Sequence, residues 1–326
     1  MKSILITGGS GSFGQAFTKE ILNNPKIQRI AIFSRGEHLQ EEMEHRFHDD
    51  RLRFFIGDVR DKDRLEMAMR GVDTVIHAAA LKIVPTAEYN PTECVATNVM
   101  GAENVVKAAI RTGVPRVVAL STDKAVNPIN LYGASKLAAE KIFIAAHSMA
   151  AGKTRFNVVR YGNVSGSRGS VLPLFQRLKA EGKPLKITDE RMTRFWIRMD
   201  QSIDLVMNAL EITDEGFHSK ILVPKIPSIK ITELAHAVQC YGPGVATGTT
   251  LNTGIRPGEK LHETLITEDE SRTTSIMVGI KDEHFYCINP QGYIKRPFEI
   301  MVPENWRYSS DTNTEWLSAE QIRSLL

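Results

Sequence analysis

Cysteine is scarce in this sequence. Its 326 residues include three cysteines, Cys94, Cys240 and Cys287, which are scattered and form no C-x-x-C pair. An odd, scattered set excludes the disulfide framework of a small secreted domain and gives no sign of a zinc site. We expect a protein of the reducing cytoplasm that binds no metal.

Long apolar runs and an excess of one charge are also missing. The first apolar stretch, at residues 4–7, is too short for a signal peptide or a membrane span. The formal net charge of +3 is too small to predict binding to nucleic acid or to a membrane, so we expect neither partner. A local basic pocket for an anionic small molecule stays possible.

The sequence does contain a regular alternation of apolar segments. Hydrophobic residues make up 42% and charged residues 24% of the chain, as in globular proteins. In the first half, short β-branched runs alternate with longer amphipathic ones, which is typical of βαβ units around a parallel sheet. We expect strands at 3–7, 29–34, 53–58, 74–79, 116–121 and 157–161, and helices at 13–23, 37–48, 61–70, 91–112 and 131–150. The pattern predicts an α/β fold with a Rossmann-type doubly wound parallel sheet.

The length of the chain predicts a second lobe, since ~150 to 200 residues suffice for a dinucleotide-binding domain. After Tyr161, glycines and prolines interrupt the alternation. We expect residues 1–165 to form the Rossmann domain and 191–215, with a helix at 200–211, to return to it. Residues 166–190 and 216–326 would form a smaller C-terminal substrate-binding lobe, which resumes near Ile221.

A glycine-rich segment at 7–14, Thr-Gly-Gly-Ser-Gly-Ser-Phe-Gly, joins the first expected strand to the first expected helix. Glycines allow a tight turn and a close backbone approach, and a helix N-terminus attracts phosphate. A plain strand-to-helix turn is the alternative. The βαβ setting favours a loop that binds the pyrophosphate of a dinucleotide.

The end of the second expected strand indicates which dinucleotide is bound. Folds that select NAD usually carry an acidic residue there, which binds the ribose 2′-hydroxyl. Here Ser34 and Arg35 end the strand, and no carboxylate precedes Glu37. Because Arg35 could hold a 2′-phosphate bidentately and Ser34 could add a hydroxyl, NADP is favoured. A solvated charge at a helix start is the alternative for Arg35.

Two further strand ends carry candidate cofactor contacts. Asp58 and Val59 follow the third expected strand, where the adenine would lie, and Ala78 follows the fourth. The small side chain of Ala78 permits close contact with a cofactor. Either position, taken alone, is also compatible with simple packing of an α/β sheet.

Tyr132 and Lys136 form a candidate reactive pair on one face of an expected helix. A phenol with a pKa near ~10 is a poor base at neutral pH, but a nearby ammonium and an oxidised nicotinamide favour the phenolate. We expect Tyr132 to deprotonate a substrate hydroxyl as hydride leaves its carbon, and Lys136 to hold the nicotinamide ribose. An incidental pair on an exposed helix is the alternative.

The end of the fifth expected strand carries Ser121, Thr122, Asp123 and Lys124, at the edge where such sheets bind ligands. A hydroxyl alone would suffice for hydride transfer. The adjacent acid and lysine therefore indicate additional proton transfers.

Together these motifs resemble one known family. The matching segments are 7–14, 77–82, 121–128, 131–136, 160–164, 187–189, 192–196 and 254–263. They resemble the UDP-N-acetylglucosamine 4,6-dehydratases of the extended short-chain dehydrogenase/reductase superfamily, specifically the inverting type that begins pseudaminic acid synthesis. Relatives that act on dTDP-glucose carry Thr-Asp-Glu in place of Thr122, Asp123 and Lys124, and retaining relatives carry Met in place of Tyr132.

The resemblance implies a hydro-lyase with three stages: oxidation at C4 by NADP, elimination of water across C5 and C6, and return of hydride to C6. The product would be UDP-2-acetamido-2,6-dideoxy-β-L-arabino-hex-4-ulose. Tyr132 would serve the 4-hydroxyl, Asp123 would protonate the departing 6-hydroxyl, and Lys124 would take the C5 proton. A lysine with a pKa near ~10.4 must be neutral to act as a base, whereas Asp123 favours its charged form.

The residues and the resemblance together give a set of candidate site residues and an expected homo-oligomer, with a hexamer as the expected assembly. The catalytic candidates are Thr122, Asp123, Lys124, Tyr132 and Lys136. The cofactor-binding candidates are Gly8, Ser10, Gly11, Ser12, Phe13, Gly14, Ser34, Arg35, Gly36, Glu37, His38, Leu39, Asp58, Val59, Ala78, Asn98, Tyr132, Lys136, Val164, Ser165, Gly166, Ser167 and Arg168. The candidates for contact with UDP-N-acetylglucosamine are Lys82, Asn163, Val171, Thr188 and Arg256, with Arg191 and Arg194 as added positive charge.

Two other functions stay open. One is a UDP-sugar 4-epimerase of the same superfamily, and the other is a non-enzymatic regulator that senses NADP. An epimerase has no use for Asp123 and Lys124, and a sensor has no reason to keep Tyr132 and Lys136. The sequence therefore favours the dehydratase.

Overall fold

The computed structural model describes residues 1–167, 169–214, 218–241, 249–290 and 300–326. Its strands are β1 Ser3–Thr7, β2 Arg29–Ser34, β3 Leu52–Ile56, β4 Thr74–His77, β5 Arg116–Thr122, β6 Arg155–Tyr161, β7 Asn163–Val164, β8 Leu185–Ile187, β9 Thr193–Ile197, β10 Ile221–Pro224, β11 Ser228–Lys230, β12 Thr250–Asn252, β13 Thr264–Ile266, β14 Thr274–Val278, β15 His284–Ile288, β16 Ile300–Met301 and β17 Tyr308–Ser309. Its α-helices are α1 Ser12–Leu22, α2 Glu37–Phe47, α3 Lys62–Met69, α4 Val84–Tyr89, α5 Pro91–Val95, α6 Gly101–Thr112, α7 Leu131–Met149, α8 Val171–Ala180, α9 Met199–Asp214, α10 Ile231–Tyr241, α11 Glu268–Ser271 and α12 Ala319–Arg323.

A large twisted sheet forms the centre of the molecule. Its parallel strands follow the order β3-β2-β1-β4-β5-β6-β10, and β15, β14 and β16 extend it on the β10 side by antiparallel pairing. Ile4, Leu5 and Ile6 of β1 are fully buried, because helices cover both faces of a parallel sheet. The predicted Rossmann-type α/β fold is confirmed.

The helix expected at 91–112 is interrupted. It consists of α5, a π-helical segment at Ala96–Met100 and then α6, and the short helix α4 precedes it. In the widened turn, the side-chain amide of Asn98 donates to the Leu81 carbonyl over 2.9 Å and its oxygen accepts from the Leu81 N–H over 2.8 Å. This tertiary contact accounts for the departure from a regular helix. Local sequence patterns do not predict it.

A second hydrophobic cluster lies beside the main core. It is formed by buried residues of α8, β8, β9, β11, α10 and α12, which include Leu172, Phe175, Trp196, Leu234 and Ile322. The smaller sheets β11-β9-β7 and β12-β8 belong to this side of the molecule. The expected helix at 200–211 is α9, and it packs against β5 and β6 of the main sheet.

One part of the chain expected in the second lobe lies elsewhere. Residues 216–326 were assigned to that lobe, but β10, β14, β15 and β16 all join the main sheet. Ile221, Leu222 and Val223 of β10 are almost fully buried. Pairing with β6 on one side and β15 on the other buries this apolar strand, which explains the difference.

A buried arginine links three elements of the core. The Arg160 guanidinium, on β6, donates to both carboxylate oxygens of Glu140 on α7, over 3.0 and 2.8 Å. It also donates to both oxygens of Glu270 on α11, over 3.0 and 2.9 Å. A charge that is 1% exposed needs such partners, because an unpaired ion in the interior is strongly destabilising.

Candidate active site

A cavity with a volume of about 940 Å³ lies at the carboxyl ends of the parallel strands. Its wall contains residues that follow β1, β2, β4, β5 and β6, and it is closed on the far side by residues of α8, β8 and the segment 256–263. Ligands of doubly wound sheets bind at this edge. The cavity is therefore the candidate active site.

The glycine-rich loop has the geometry that a phosphate cradle requires. Gly8 has a φ of +67°, and a Cβ added to it would lie 2.8 Å from the backbone nitrogen of Ala79. A Cβ on Gly14 would collide with the backbone of Gly9. Because Gly11 precedes α1 and has no side chain to cap it, the first turn of α1 keeps the anion-attracting character of a helix N-terminus. The residues present fit a dinucleotide.

Most of the expected cofactor residues line this cavity. They are Gly8, Ser10, Gly11, Ser12, Phe13, Gly14, Ser34, Arg35, Gly36, Leu39, Asp58, Val59, Ala78, Tyr132, Lys136, Val164 and Ser167.

The other expected cofactor residues lie outside the cavity wall. Glu37 and His38 are exposed on α2, and Ser165 and Gly166 follow β7 without reaching the wall. Asn98 is buried and donates to the Ser135 hydroxyl over 2.9 Å, so it connects the loop after β4 to α7. Arg168 lies outside the described residues.

Arg35 and Asp58 face each other at the end of the sheet. The Arg35 guanidinium nitrogen is 3.8 Å from an Asp58 carboxylate oxygen, and the Arg35 side chain is 57% exposed. Arg60 holds the same carboxylate more closely, at 2.7 Å. The Ser34 hydroxyl accepts a hydrogen bond from Gln40 over 2.8 Å and can still donate its own proton. Arg35 is thus available to an anionic ligand.

Tyr132 and Lys136 both line the cavity from the first turns of α7. Burial raises the pKa of Tyr132 to about 12, although Lys124 and a hydrogen bond with Thr122 act in the opposite direction. Burial lowers the pKa of Lys136 to about 8 against the opposing effect of Glu140, and its ammonium donates to the Leu120 carbonyl over 2.6 Å. The predicted pair therefore faces the cavity with the two pKa values moved in opposite directions.

The start of α7 is packed directly on the turn that carries Lys124. This 3₁₀ turn spans Asp123–Ala125, and a Cβ on Gly133 would collide with the Lys124 carbonyl oxygen. The side chain of Asn130 caps α7 by accepting from the Gly133 N–H over 2.7 Å. Close packing at a glycine therefore places the Tyr132 and Lys124 side chains on the same wall.

Lys124 lies between two carboxylates. Its ammonium nitrogen is 3.1 Å from an Asp123 oxygen and 3.2 Å from a Glu263 oxygen. Burial alone would lower the pKa of Lys124, but Asp123 and Glu263 outweigh it and raise the pKa above its ordinary value. Asp123 is fully buried behind Lys124 and accepts from the Thr122 hydroxyl over 2.9 Å. Thr122 and Lys124 line the cavity, whereas Asp123 does not.

All five expected substrate contacts line the cavity: Lys82, Asn163, Val171, Thr188 and Arg256. Burial, with a smaller contribution from Lys124, lowers the pKa of Lys82. Within the described part of the chain, the buried side-chain oxygen of Asn163 has no hydrogen-bond partner, so it can accept one from a ligand. Arg194 also lines the cavity, but Arg191 points away and is paired with Asp189 at 2.8 Å.

Four charged residues of the cavity wall were not among the expected site residues. They are Lys186, Glu259, Lys260 and Glu263. The last three belong to the segment 254–263 that resembles the family, but their spacing in the sequence does not relate them to Lys124. Only the fold places Glu263 beside it.

Other aromatic, histidine and methionine side chains lie in the cores or at the surface. Phe195 and Trp196 are buried in the cores, and Met192 is buried but also reaches the cavity wall. His45 and His48 are exposed on and beside α2. His77 is 1% exposed, and its ring nitrogen is 2.8 Å from the Thr7 hydroxyl.

Comparison with known proteins places the chain in a family. Residues 4–282 match the model of a family described as polysaccharide biosynthesis protein. The chain belongs to this family. Among its relatives is a UDP-N-acetylglucosamine 4,6-dehydratase (inverting) from Campylobacter jejuni, 49% identical, with 100% of this chain and 97% of the relative covered. A UDP-glucose 4-epimerase from Rickettsia akari is 41% identical, with 100% and 95% covered.

Solved structures share the fold of this family member. The X-ray structure of Pen from Bacillus thuringiensis superposes with a TM-score of 0.89 at 35% identity and covers 99% of this chain and 96% of that one. DesIV from Streptomyces venezuelae, a dTDP-glucose 4,6-dehydratase solved with NAD and TYD bound, superposes with a TM-score of 0.71 at 23% identity, with 79% and 86% covered. Within the described residues, no helix has both the length and the apolar character needed to cross a membrane.

Proposed function

We propose that this protein is a hydro-lyase that removes water from UDP-N-acetylglucosamine across C5 and C6, with inversion at C5. The observation that carries the proposal is the meeting, in one cavity, of the Tyr132 and Lys136 pair with a lysine held between two carboxylates. Hydride transfer requires only Tyr132 and Lys136 among these side chains. Lys124 and its carboxylates add the proton transfers that an elimination requires.

The full-length relative from Campylobacter jejuni supports this choice of reaction, because it is named an inverting UDP-N-acetylglucosamine 4,6-dehydratase. The charge of the cavity supports an anionic substrate. Lys82, Arg256 and Lys186 line it, and cations suit the diphosphate of a nucleotide sugar. Lys82, Asn163, Val171, Thr188 and Arg256 are the proposed substrate contacts.

Each catalytic side chain has a proposed role. Tyr132 takes the proton of the 4-hydroxyl, with Thr122 beside it, and Lys136 holds the nicotinamide ribose. Lys124 takes the C5 proton and Asp123 supplies a proton to the departing 6-hydroxyl. The high pKa of Tyr132 must fall before it can act as a base. A positively charged nicotinamide next to the phenol would lower it.

The proposed cofactor is NADP. When bound, it would supply the hydride acceptor for C4 and the hydride donor for C6, so the overall reaction consumes no cofactor. The loop from Gly8 to Gly14 would hold its pyrophosphate, and Arg35 its 2′-phosphate. DesIV, which shares the fold, was solved with NAD, which supports a nicotinamide dinucleotide in this position. The preference for the 2′-phosphate depends on Arg35.

A 4-epimerase is the second candidate, because the Rickettsia akari relative carries that name. It shares the need for Tyr132 and Lys136. It gives no role to Lys124, whose ammonium is kept charged by two carboxylates inside the cavity. The dehydratase gives roles to Lys124 and Asp123 and is preferred.

Mass spectrometry separates the two reactions. The purified protein is incubated with NADP and UDP-N-acetylglucosamine, and in parallel with UDP-glucose. The expected product is UDP-N-acetylglucosamine less one water, whereas epimerisation leaves the mass unchanged. In deuterated water, deuterium should enter at C5, and NMR coupling constants should show the L-configuration. An unchanged mass with both sugars would contradict the proposed function.

Three broader expectations stay predictions. They are a cytoplasmic location, a homo-oligomer with a hexamer as its expected size, and a product that enters pseudaminic acid synthesis. The division into a dinucleotide-binding domain and a substrate-binding lobe is also proposed, except that β10, β14, β15 and β16 belong to the main sheet.

A further inference from the structure

Glu263 is a buried carboxylate of the cavity wall without an assigned role. It is 2% exposed and is the last residue of the segment 256–263 that closes the cavity. One carboxylate oxygen is 3.2 Å from the Lys124 ammonium nitrogen. Within the described residues, the other oxygen is buried and has no hydrogen-bond partner.

The charges around Glu263 and Asp123 differ. Lys260 lies 3.9 Å from the second Glu263 oxygen, and the Arg194 guanidinium lies 3.9 Å from the first. With Lys124, three cations therefore surround Glu263. Asp123 has one close cation, Lys124, and its second oxygen is buried without a hydrogen-bond partner among the described residues. Both carboxylates therefore have one unpartnered oxygen, and they differ in the cations within 4 Å, which favour an ionised carboxylate.

We propose that Glu263 is a positioning residue that stays ionised, holds the Lys124 amine at the reacting carbon and stabilises its ammonium form as that amine takes the C5 proton. The proposal rests on the proposed dehydration. Glu263 acts through Lys124 and needs no contact with substrate or cofactor. Its negative charge raises the pKa of Lys124 against the effect of burial.

The proton balance assigns different tasks to the two carboxylates. Before the elimination, the Lys124 ammonium gives one proton to Asp123, which leaves a neutral amine and a neutral acid. The amine then takes the C5 proton, the C5–C6 double bond forms and the C6–O bond breaks. The leaving oxygen takes the hydroxyl proton of Thr122, which lines the cavity, and Thr122 takes the proton of Asp123, so water is formed. Lys124 ends as ammonium, Asp123 ends as carboxylate, and Glu263 is unchanged. No other reactant is needed.

Replacement of Glu263 by Gln tests this role, because Gln keeps the size of the side chain and removes its charge. Lys124 and Asp123 must together hold one proton, so activity is lost at the alkaline pH where that proton leaves. Without the Glu263 carboxylate, Lys124 and Asp123 lose this shared proton at a lower pH. We expect E263Q to lower kcat by about 100-fold, to leave KM within about twofold, and to move the alkaline limb of the kcat profile to lower pH.

Two further variants complete the experiment. Glu263→Asp retains the negative charge but shortens the side chain by one methylene. Its kcat should therefore fall, while the alkaline limb of its kcat profile should lie at the same pH as in the wild type. Glu268→Gln makes the same chemical change at an exposed position five residues along the chain and should leave both unchanged. Thermal unfolding and NADP titration establish that each variant is folded.

The outcomes are distinct. Wild-type kcat in E263Q, or a lower kcat with an unmoved alkaline limb, overturns the role of Glu263 and leaves the dehydration in place. If E263Q does not fold, E263D decides: wild-type kcat in E263D overturns the proposal, and a reduced kcat with the wild-type limb supports it. A wild-type protein that removes no water overturns both the function and the role.

Discussion

Lys124 is the residue whose chemistry depends most on its surroundings. Its two carboxylate neighbours raise its pKa, so at neutral pH the resting side chain is an ammonium that cannot accept a proton. Once Asp123 has taken that proton, Lys124 is a neutral amine, and the remaining charge of Glu263 favours its return to the ammonium form. A lysine suits the task because its pKa responds to local charge more than that of an arginine.

Replacement of Lys124 by Ala should separate binding from elimination. We expect NADP binding to be retained, since the proposed cofactor contacts do not include Lys124, and the rate of water loss to fall by about 10²- to 10⁴-fold. Titration of NADP and mass spectrometry of the sugar nucleotide measure the two effects. Lys26→Ala, at an exposed lysine, is the control. Wild-type turnover in Lys124→Ala would exclude Lys124 as the base.

Arg35 should decide between the two dinucleotides. Its guanidinium is 57% exposed at the end of β2 and, among the described residues, has only a 3.8 Å contact with Asp58, so it can turn to a 2′-phosphate. A hydrogen bond to a charged group contributes about 1.5–3 kcal/mol. We therefore expect Arg35→Ala to raise the Kd for NADP by about 10- to 100-fold and to leave the Kd for NAD nearly unchanged.

Calorimetric titration of both dinucleotides checks this prediction. Arg46→Ala is the matched control, because Arg46 is an exposed arginine of the adjacent helix that does not line the cavity. Equal loss of affinity for NADP and NAD in Arg35→Ala would show that Arg35 supports the structure of the cofactor site and does not bind the 2′-phosphate.

At the level of elements, Arg160 connects β6, α7 and α11. Although burial alone would raise the pKa of Glu270, Arg160 lowers it below its ordinary value. A carboxyl with a lowered pKa in the folded protein adds stability above its ordinary pKa, and that stability is lost as the pH falls through the lowered value. The link between the elements should therefore weaken in acid.

Arg160→Met should destabilise the protein by about 3–5 kcal/mol at neutral pH, because it removes the guanidinium that pairs with the buried Glu140 carboxylate. Urea unfolding at about pH 7 and about pH 4 measures the loss, which should be smaller at the lower pH. The double variant Arg160→Met with Glu140→Met should recover part of the stability. Arg191→Met, which breaks an exposed pair, should cost less than about 1 kcal/mol, and an equal loss in both single variants would contradict the prediction.

Across the whole molecule, local patterns predicted the sheet well. The bounds of β1 and β2 agree with the expected strands, because each is a continuous apolar run between clear breaks. Tyr132 and Lys136 were found because their contact is a helical i, i+4 relation. The strands β14, β15 and β16 were not expected in the main sheet, since their edge pairing depends on β10 and not on their own sequence.

The candidate site was predictable only where its residues follow a strand or share a helix. Lys124 was found at the end of β5, and Gly8 after β1. Glu263 was missed, because residues 125–262 separate it from Lys124 and nothing in its sequence neighbourhood points back. The turn at Asn98 was missed for the same reason, since its partner is the backbone of Leu81.

The wide separation of Lys124 and Glu263 in the chain bears on biosynthesis. A protein is made and begins to fold from its N-terminus, so the glycine loop and Lys124 leave the ribosome well before Glu263. A nascent or truncated chain can form its glycine-rich loop before Glu263 is present beside Lys124. Under the role proposed for Glu263, efficient elimination of water therefore requires a chain that has been synthesised beyond residue 263.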